Sequence, residues 1–390
     1  MNPSATGWIK KLLRITISNT DFLNADKDTF YTALRSCGFI FGSNLSIVAN
    51  IIEKHDLSED EICKINLTIA FLYTHHNVNP KIGFVDSVLQ FYTAINELKT
   101  SFFDGILGRK SSNVQLEKVI HKRIHIDHNA LTKNFNYFII NALLFVDILA
   151  YKKFLKEGII SIDYIKQLEK AIEAIVLNAI DAKTKKNQYD ESLIKLFESS
   201  IRYHDAKPLK YVSAIDLITT TLEKYYVLDL TCMASWSDRV IDTNETKFIS
   251  KLGSDFNIVP YKTKESIAFV NSFYTKHKNE IALLSSKNIV QSFYDNSSKM
   301  VSKLISRNSK RLYKELKDSK ELLILLTHST HRELNQEEQK KVQEQLLDIF
   351  KSIPSLAIFI LPGGALLLPL VIKFIPKLLP SAFDENRIED

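Results

Sequence analysis

Apolar residues return every three or four positions along most of this chain, the rhythm of helices with one buried side. One stretch abandons it. Ser352–Phe383 reads SIPSLAIFILPGGALLLPLVIKFIPKLLPSAF, and no charged side chain falls between Ile353 and Ile372. A helix of such length reaches about 30 Å, the thickness of a bilayer's hydrocarbon core. The pattern therefore predicts a membrane segment at about 353–372, preceded by a polar, helical remainder.

That remainder carries clear helix punctuation. Leu57-Ser58-Glu59-Asp60-Glu61-Ile62 holds a capping box, Ser58 with Glu61, and a hydrophobic staple, Leu57 with Ile62. Asp242 with Glu245 and Asn335 with Glu338 repeat the box. Helices are expected from about Asp26 to Lys54, over Phe84–Leu98, once or twice within Val114–Gly158, over Ser161–Ala182 and Asp190–Tyr203, and from Val212 through Asp229–Trp236. The run Phe138–Ala150 is strongly apolar but is interrupted by Asp147 and is too short to span a bilayer, so it reads as a buried core helix. Lys99–Asn113 gathers Gly and Ser and reads as a linker; Pro208 marks a further boundary. These signals divide the chain into helical regions at 1–110, 114–205, 208–295 and 296–390. The fold class is all-α: a multi-helix soluble body followed by a C-terminal, proline-kinked membrane helix.

Composition supports this class. The 390 residues include only 10 Gly and 9 Pro, and Pro354, Pro362, Pro369, Pro376 and Pro380 lie in the tail, so the body is poor in turn residues. A hydrophobic share of 45% and a charged share of 25% describe a folded chain. The net charge of +6 is too mild to imply nucleic acid. Cys37, Cys63 and Cys232 form no CxxC pair and read as buried thiols of a reducing compartment. The opening MNPSATGWIKKLLRITI is too broken by charge for a secretion signal, which places the body in the cytoplasm.

Within the tail, Pro362, Pro369 and Pro376 recur at intervals of seven and share one helical face. Each removes an amide that would bond the carbonyl four residues earlier, at Ile358, Ala365 and Ile372. Gly363-Gly364 loosens the backbone, and Lys373 can snorkel to an interface. Upstream, Lys299, Lys303, Arg307, Arg311 and Lys314 form a basic stripe suited to anionic lipid, with Lys310 and Lys317 beside it. Only Tyr313 interleaves it, so RNA is not the expected partner.

Lys299–Phe383 resembles the LETM family of leucine-zipper and EF-hand-containing transmembrane proteins and their bacterial relatives. The resemblance rests on RELNQEEQKKVQEQLLDIFKSIP, the Pro362-x6-Pro369 pair, Lys373, Pro376 and the closing Leu379-Pro380-Ser381-Ala382-Phe383. It implies membrane residence, at a bacterial inner membrane, and a part in cation/proton balance. Mitochondrial members carry an acidic residue between the two prolines where this chain has Ala365; a methyl group neither carries a proton nor holds a cation. The stretch looks similar to the bacterial LETM-related group, some of it labelled biofilm-associated. The family's ribosome-binding and EF-hand parts lie downstream, so no ribosome association is expected.

A second resemblance covers about Tyr211–Leu284. LDLTCMASWSDRVIDTNETKFISKLGSDFNI looks like the helical domain of TerB-type tellurite-resistance proteins, with Asp238 and Glu245 matching its Asp and Glu and Arg239 replacing its Gly. By that resemblance Asp238, Asp242 and Glu245 are candidate ligands for a hard cation, set against helix capping by Asp242. His121, His125 and His128 share a helical face, but HKRIH lacks the Glu of HExxH, and Lys122 and Arg123 repel a metal. His75-His76 and His328-x-x-His331 are no more specific.

No Gly-rich phosphate loop, GxSxG or catalytic dyad is present, so neither enzyme activity nor a cofactor is expected. The sequence points to a membrane-anchored scaffold or regulator whose partners are lipid, other proteins or further copies of itself. Two alternatives stand beside it: a cation pathway built by oligomerised tails, and a soluble TerB-like interaction module with its tail folded inward.

Overall fold

The computed structural model describes residues 1–17, 20–52, 57–95, 112–124, 141–183, 194, 209–236, 241–278, 280–281, 298, 301–353, 356, 359 and 367–379. Among the described residues every regular element is helical.

The buried apolar side chains form two cores. One gathers residues from Trp8 to Ile281 and so draws on all three expected body regions; the other gathers Val301 to Leu379, within the fourth. The large core is built around the Glu59–Val78 helix. Its buried residues run almost without break from Glu61 to Thr74, which is why its sequence shows no polar face. Phe71 of that helix meets Phe91, Tyr92 and Tyr151 edge-on or tilted, with ring centroids 5.1–6.1 Å apart. The Phe145–Glu157 helix packs against the same element, as its apolar run requires. The Ile162–Asp181 helix, expected over Ser161–Ala182 and capped by Ser161, lies on the Tyr211–Leu217 and Thr221–Ser235 helices.

Several charges enter this core as pairs. Asp147, fully buried, receives Arg123 Nε at 2.8 Å and Nη2 at 2.5 Å, with the Tyr92 hydroxyl at 3.0 Å. Asp229 meets Arg35 at 3.1 Å and Tyr31 at 2.8 Å; burial, outweighing Arg35, raises its pKa. Lys183 and Glu245 lie 3.3 Å apart with side chains 1% and 0% exposed. The three cysteines are free and buried, and burial pushes the Cys37 thiol up to about 12.

One expectation is corrected here. The helix anticipated from Asp26 to Lys54 ends at Ser36 and gives way to short 3-10 turns at Phe39–Phe41 and Val48–Asn50. Gly38 and Gly42, at φ of 86° and 72°, take left-handed positions that break the helix. Gly38 also has no room for a side chain: a Cβ there would sit 1.8 Å from the Ser43 carbonyl oxygen.

The membrane segment expected at about 353–372 is not confirmed. Among the described residues no helix is long and apolar enough to cross a membrane. The described part of 353–372 instead contributes Ile353, Leu356, Phe359, Leu367, Leu368, Leu370 and Val371 to the smaller core. Phe350 and Phe359 meet there at 4.9 Å. The helix Leu368–Leu378 packs on Lys320–His331, with Ile375 fully buried and Pro369, Lys373 and Lys377 exposed on its other side. Pro369 sits in the first turn, where its missing amide interrupts no hydrogen bond, so it opens this helix rather than kinking it. Pro376 lies inside the same helix. Pro354, Pro362, Gly363, Gly364 and Pro380 lie outside the described residues.

Candidate functional site

The site that joins the two cores grows from a helix start. Ser58 accepts the Glu61 amide at 3.3 Å, and the Glu61 carboxylate accepts the Ser58 amide at 3.0 Å, completing the expected capping box. The same carboxylate takes the Ser4 hydroxyl at 2.7 Å and both terminal nitrogens of Arg307, at 2.7 and 2.8 Å. Arg307 lies 246 positions away along the chain. One turn before it, the Lys303 ammonium donates to the Leu57 carbonyl, just ahead of the cap.

Residues 301–307 therefore serve both cores. Val301, Leu304 and Ile305 bury into the smaller one, while Lys303 and Arg307 reach into the body. Glu61 is 1% exposed and Arg307 20%. Burial works to raise the Glu61 pKa, but Arg307, Ser4 and the Ser58 amide outweigh it and hold the carboxyl below its usual value. What this arrangement can do chemically is hold and release an anion in a two-point guanidinium fork.

Two residues of the basic stripe have partners in the body. Lys303 and Arg307 face the body, where the Leu57 carbonyl accepts from the first and the Glu61 carboxylate pairs with the second. Arg311 and Lys314 are exposed, as are Lys310 and Lys317; Lys299 lies outside the described residues.

Of the proposed cation ligands, Asp238 lies outside the described residues. Asp242 accepts the Glu245 amide at 2.8 Å, and Glu245 returns the bond to the Asp242 amide at 2.7 Å while pairing with Lys183. Both carboxylates are thus engaged in capping and pairing, and no group of three or more metal-binding side chains occurs among the described residues. His121 lies on the Ser112–Ile124 helix, with His125 and His128 outside the described residues. Nε2 of His75 meets the Ile82 carbonyl at 2.8 Å, and Nδ1 of His328 lies 3.3 Å from Arg332.

The Asn335 cap also forms with Glu338, which Arg332 grips at 2.6 and 2.7 Å. It opens the Gln336–Ser352 helix and with it the C-terminal stretch. Residues 334–390 match the family model described as LETM1-like, RBD. Over this stretch the chain is similar to that family. No curated protein and no solved structure matches the chain.

Missed in the sequence was a fourth capping box, Thr220 with Glu223, whose carboxylate also takes the Tyr164 hydroxyl at 2.5 Å. The TxxE spacing carried the signal, but the helical rhythm from Val212 onward hid the break after Leu217. Every one of these four N3 glutamates pairs with a side chain outside its own helix: Arg307, Tyr164, Lys183 and Arg332.

Proposed function

We propose that the protein is a non-enzymatic, LETM-like helical scaffold or regulator acting at a bacterial inner membrane, its large core held in the cytoplasm. The observation that carries this reading is the LETM1-like match over 334–390, which falls on the apolar stretch and its own separate core. The exposed Arg311, Lys314, Lys373 and Lys377 add cations suited to an anionic leaflet. Because the Leu368–Leu378 helix buries one side and exposes Pro369 and two lysines on the other, it suits an interfacial position better than a straight span. The finer roles, in cation balance or surface-associated growth, belong to the same proposal.

Flotation of the full chain with lipid vesicles tests it, followed by an alkaline carbonate wash. The protein is expected to rise with vesicles containing anionic lipid. A chain that stays at the bottom of the gradient with every lipid mixture overturns the reading.

A further inference from the structure

Lys303, Arg307, Arg311 and Lys314 form one basic row on residues 301–317, yet the fold divides it. The first two contact the body, and the last two stand exposed. Packing of the smaller core does not require this division. Val301, Leu304, Ile305, Leu312 and Leu316 bury the opposite side of the segment along its whole length.

What Arg307 meets is a forked anion. Its terminal nitrogens take the two Glu61 oxygens at 2.7 and 2.8 Å, the same two-point geometry that a guanidinium offers a phosphate. Glu61 stands beside Glu59 and Asp60 in the first turn of its helix, so an acidic helix start faces the first half of a cationic segment.

We propose that residues 301–317 form a binding surface for anionic lipid headgroups, and that Glu61 occupies its first half as a built-in substitute for a headgroup. Headgroups that take Lys303 and Arg307 release the smaller core from the body. The inference rests on the membrane reading above. Exchanging carboxylate for phosphate keeps both Arg307 hydrogen bonds. Glu61 keeps its bonds to Ser4 and to the Ser58 amide, so the helix start survives the release. The exposed Arg311 and Lys314 make first contact, and Lys303 and Arg307 follow as the segment settles on the surface.

The test compares the full-length wild type with Glu61→Gln and Ser58→Ala, on vesicles of phosphatidylcholine alone or mixed with phosphatidylserine. Glu61→Gln is expected to bind the mixed vesicles several-fold more tightly and the neutral vesicles no better. Adding Arg307→Gln to that variant should remove most of the gain. Ser58→Ala breaks the same cap but leaves Arg307 on Glu61, and is expected to bind as wild type does. Wild type and Glu61→Gln floating equally on mixed vesicles overturns the inference and leaves the membrane reading standing. Failure of both on every vesicle removes the two together. A gain on neutral vesicles, or an equal gain in Ser58→Ala, reports loosened packing and also overturns it. Competition by soluble phosphoserine as strong as by vesicles would make the ligand a free anion and overturn the lipid assignment.

Discussion

Replacing Arg123 by Met strips the Asp147 carboxylate of two guanidinium hydrogen bonds, at 2.8 and 2.5 Å, while the Tyr92 hydroxyl at 3.0 Å stays. Asp147 has 0% exposure, so water cannot replace the lost partner without opening the core. Removing one member of a buried pair costs about 3–5 kcal/mol, because the other stays behind as an uncompensated charge. Arg123 keeps 14% exposure, and some water follows its removal, which puts the expected cost near the lower end, at about 3 kcal/mol. Replacing both partners by apolar residues of similar size is often neutral. Arg123→Met with Asp147→Leu should therefore recover most of the loss. Urea unfolding followed by far-UV circular dichroism measures this, provided the m-value is unchanged between variants. A single-variant cost below about 1 kcal/mol, the range of exposed pairs, would refute the argument, as would a double variant no better than the single.

Further outcomes follow from the same structure. The Glu61 pKa is lowered in the folded chain, so its pairing with Arg307 contributes fully above the unfolded value and is lost as pH falls through the lower folded one. Amide exchange across the acid range should accordingly show contacts of residues 301–307 with the body loosening as pH drops below about 4.5, the unshifted carboxyl value. Gly38→Ala places a Cβ 1.8 Å from the Ser43 oxygen at a positive φ and should cost about 2–4 kcal/mol in chemical denaturation. Gly253→Ala meets Thr263 Oγ1 at 2.3 Å and should destabilise by about 1–2 kcal/mol. In a Thr263→Ala background the clash is gone, and the helix gain of up to about 1 kcal/mol should reverse the sign. Ile375→Ala empties a fully buried site in the smaller core and should cost about 2–5 kcal/mol, with exchange rising in 301–379 and unchanged in the Glu59–Val78 helix. Unchanged exchange in 301–379 would mean the tail does not pack there.

How much of this was legible in the sequence depends on how far each interaction reaches along the chain. Scarce Gly and Pro gave the all-α class, and the boxes at Ser58, Asp242 and Asn335 all form, because a cap is settled within four residues. Asp147 was read as the interruption of a buried helix, and it is buried; that Arg123, 24 positions earlier, makes the burial tolerable was not visible. The sequence had even counted Arg123 only as a charge repelling a metal from the neighbouring histidines. Likewise, the spacing of Lys303 and Arg307 correctly put them on one face but could not say what that face meets, since its partner lies 246 positions away. The tail repeats the lesson for apolar side chains. Run length measures how strongly Ile353, Phe359 and Val371 avoid water, and a protein core satisfies that avoidance as well as lipid does. Local pattern sets which residues must leave solvent together. Only the long-range contacts, here centred on the glutamates that begin helices, decide where they go.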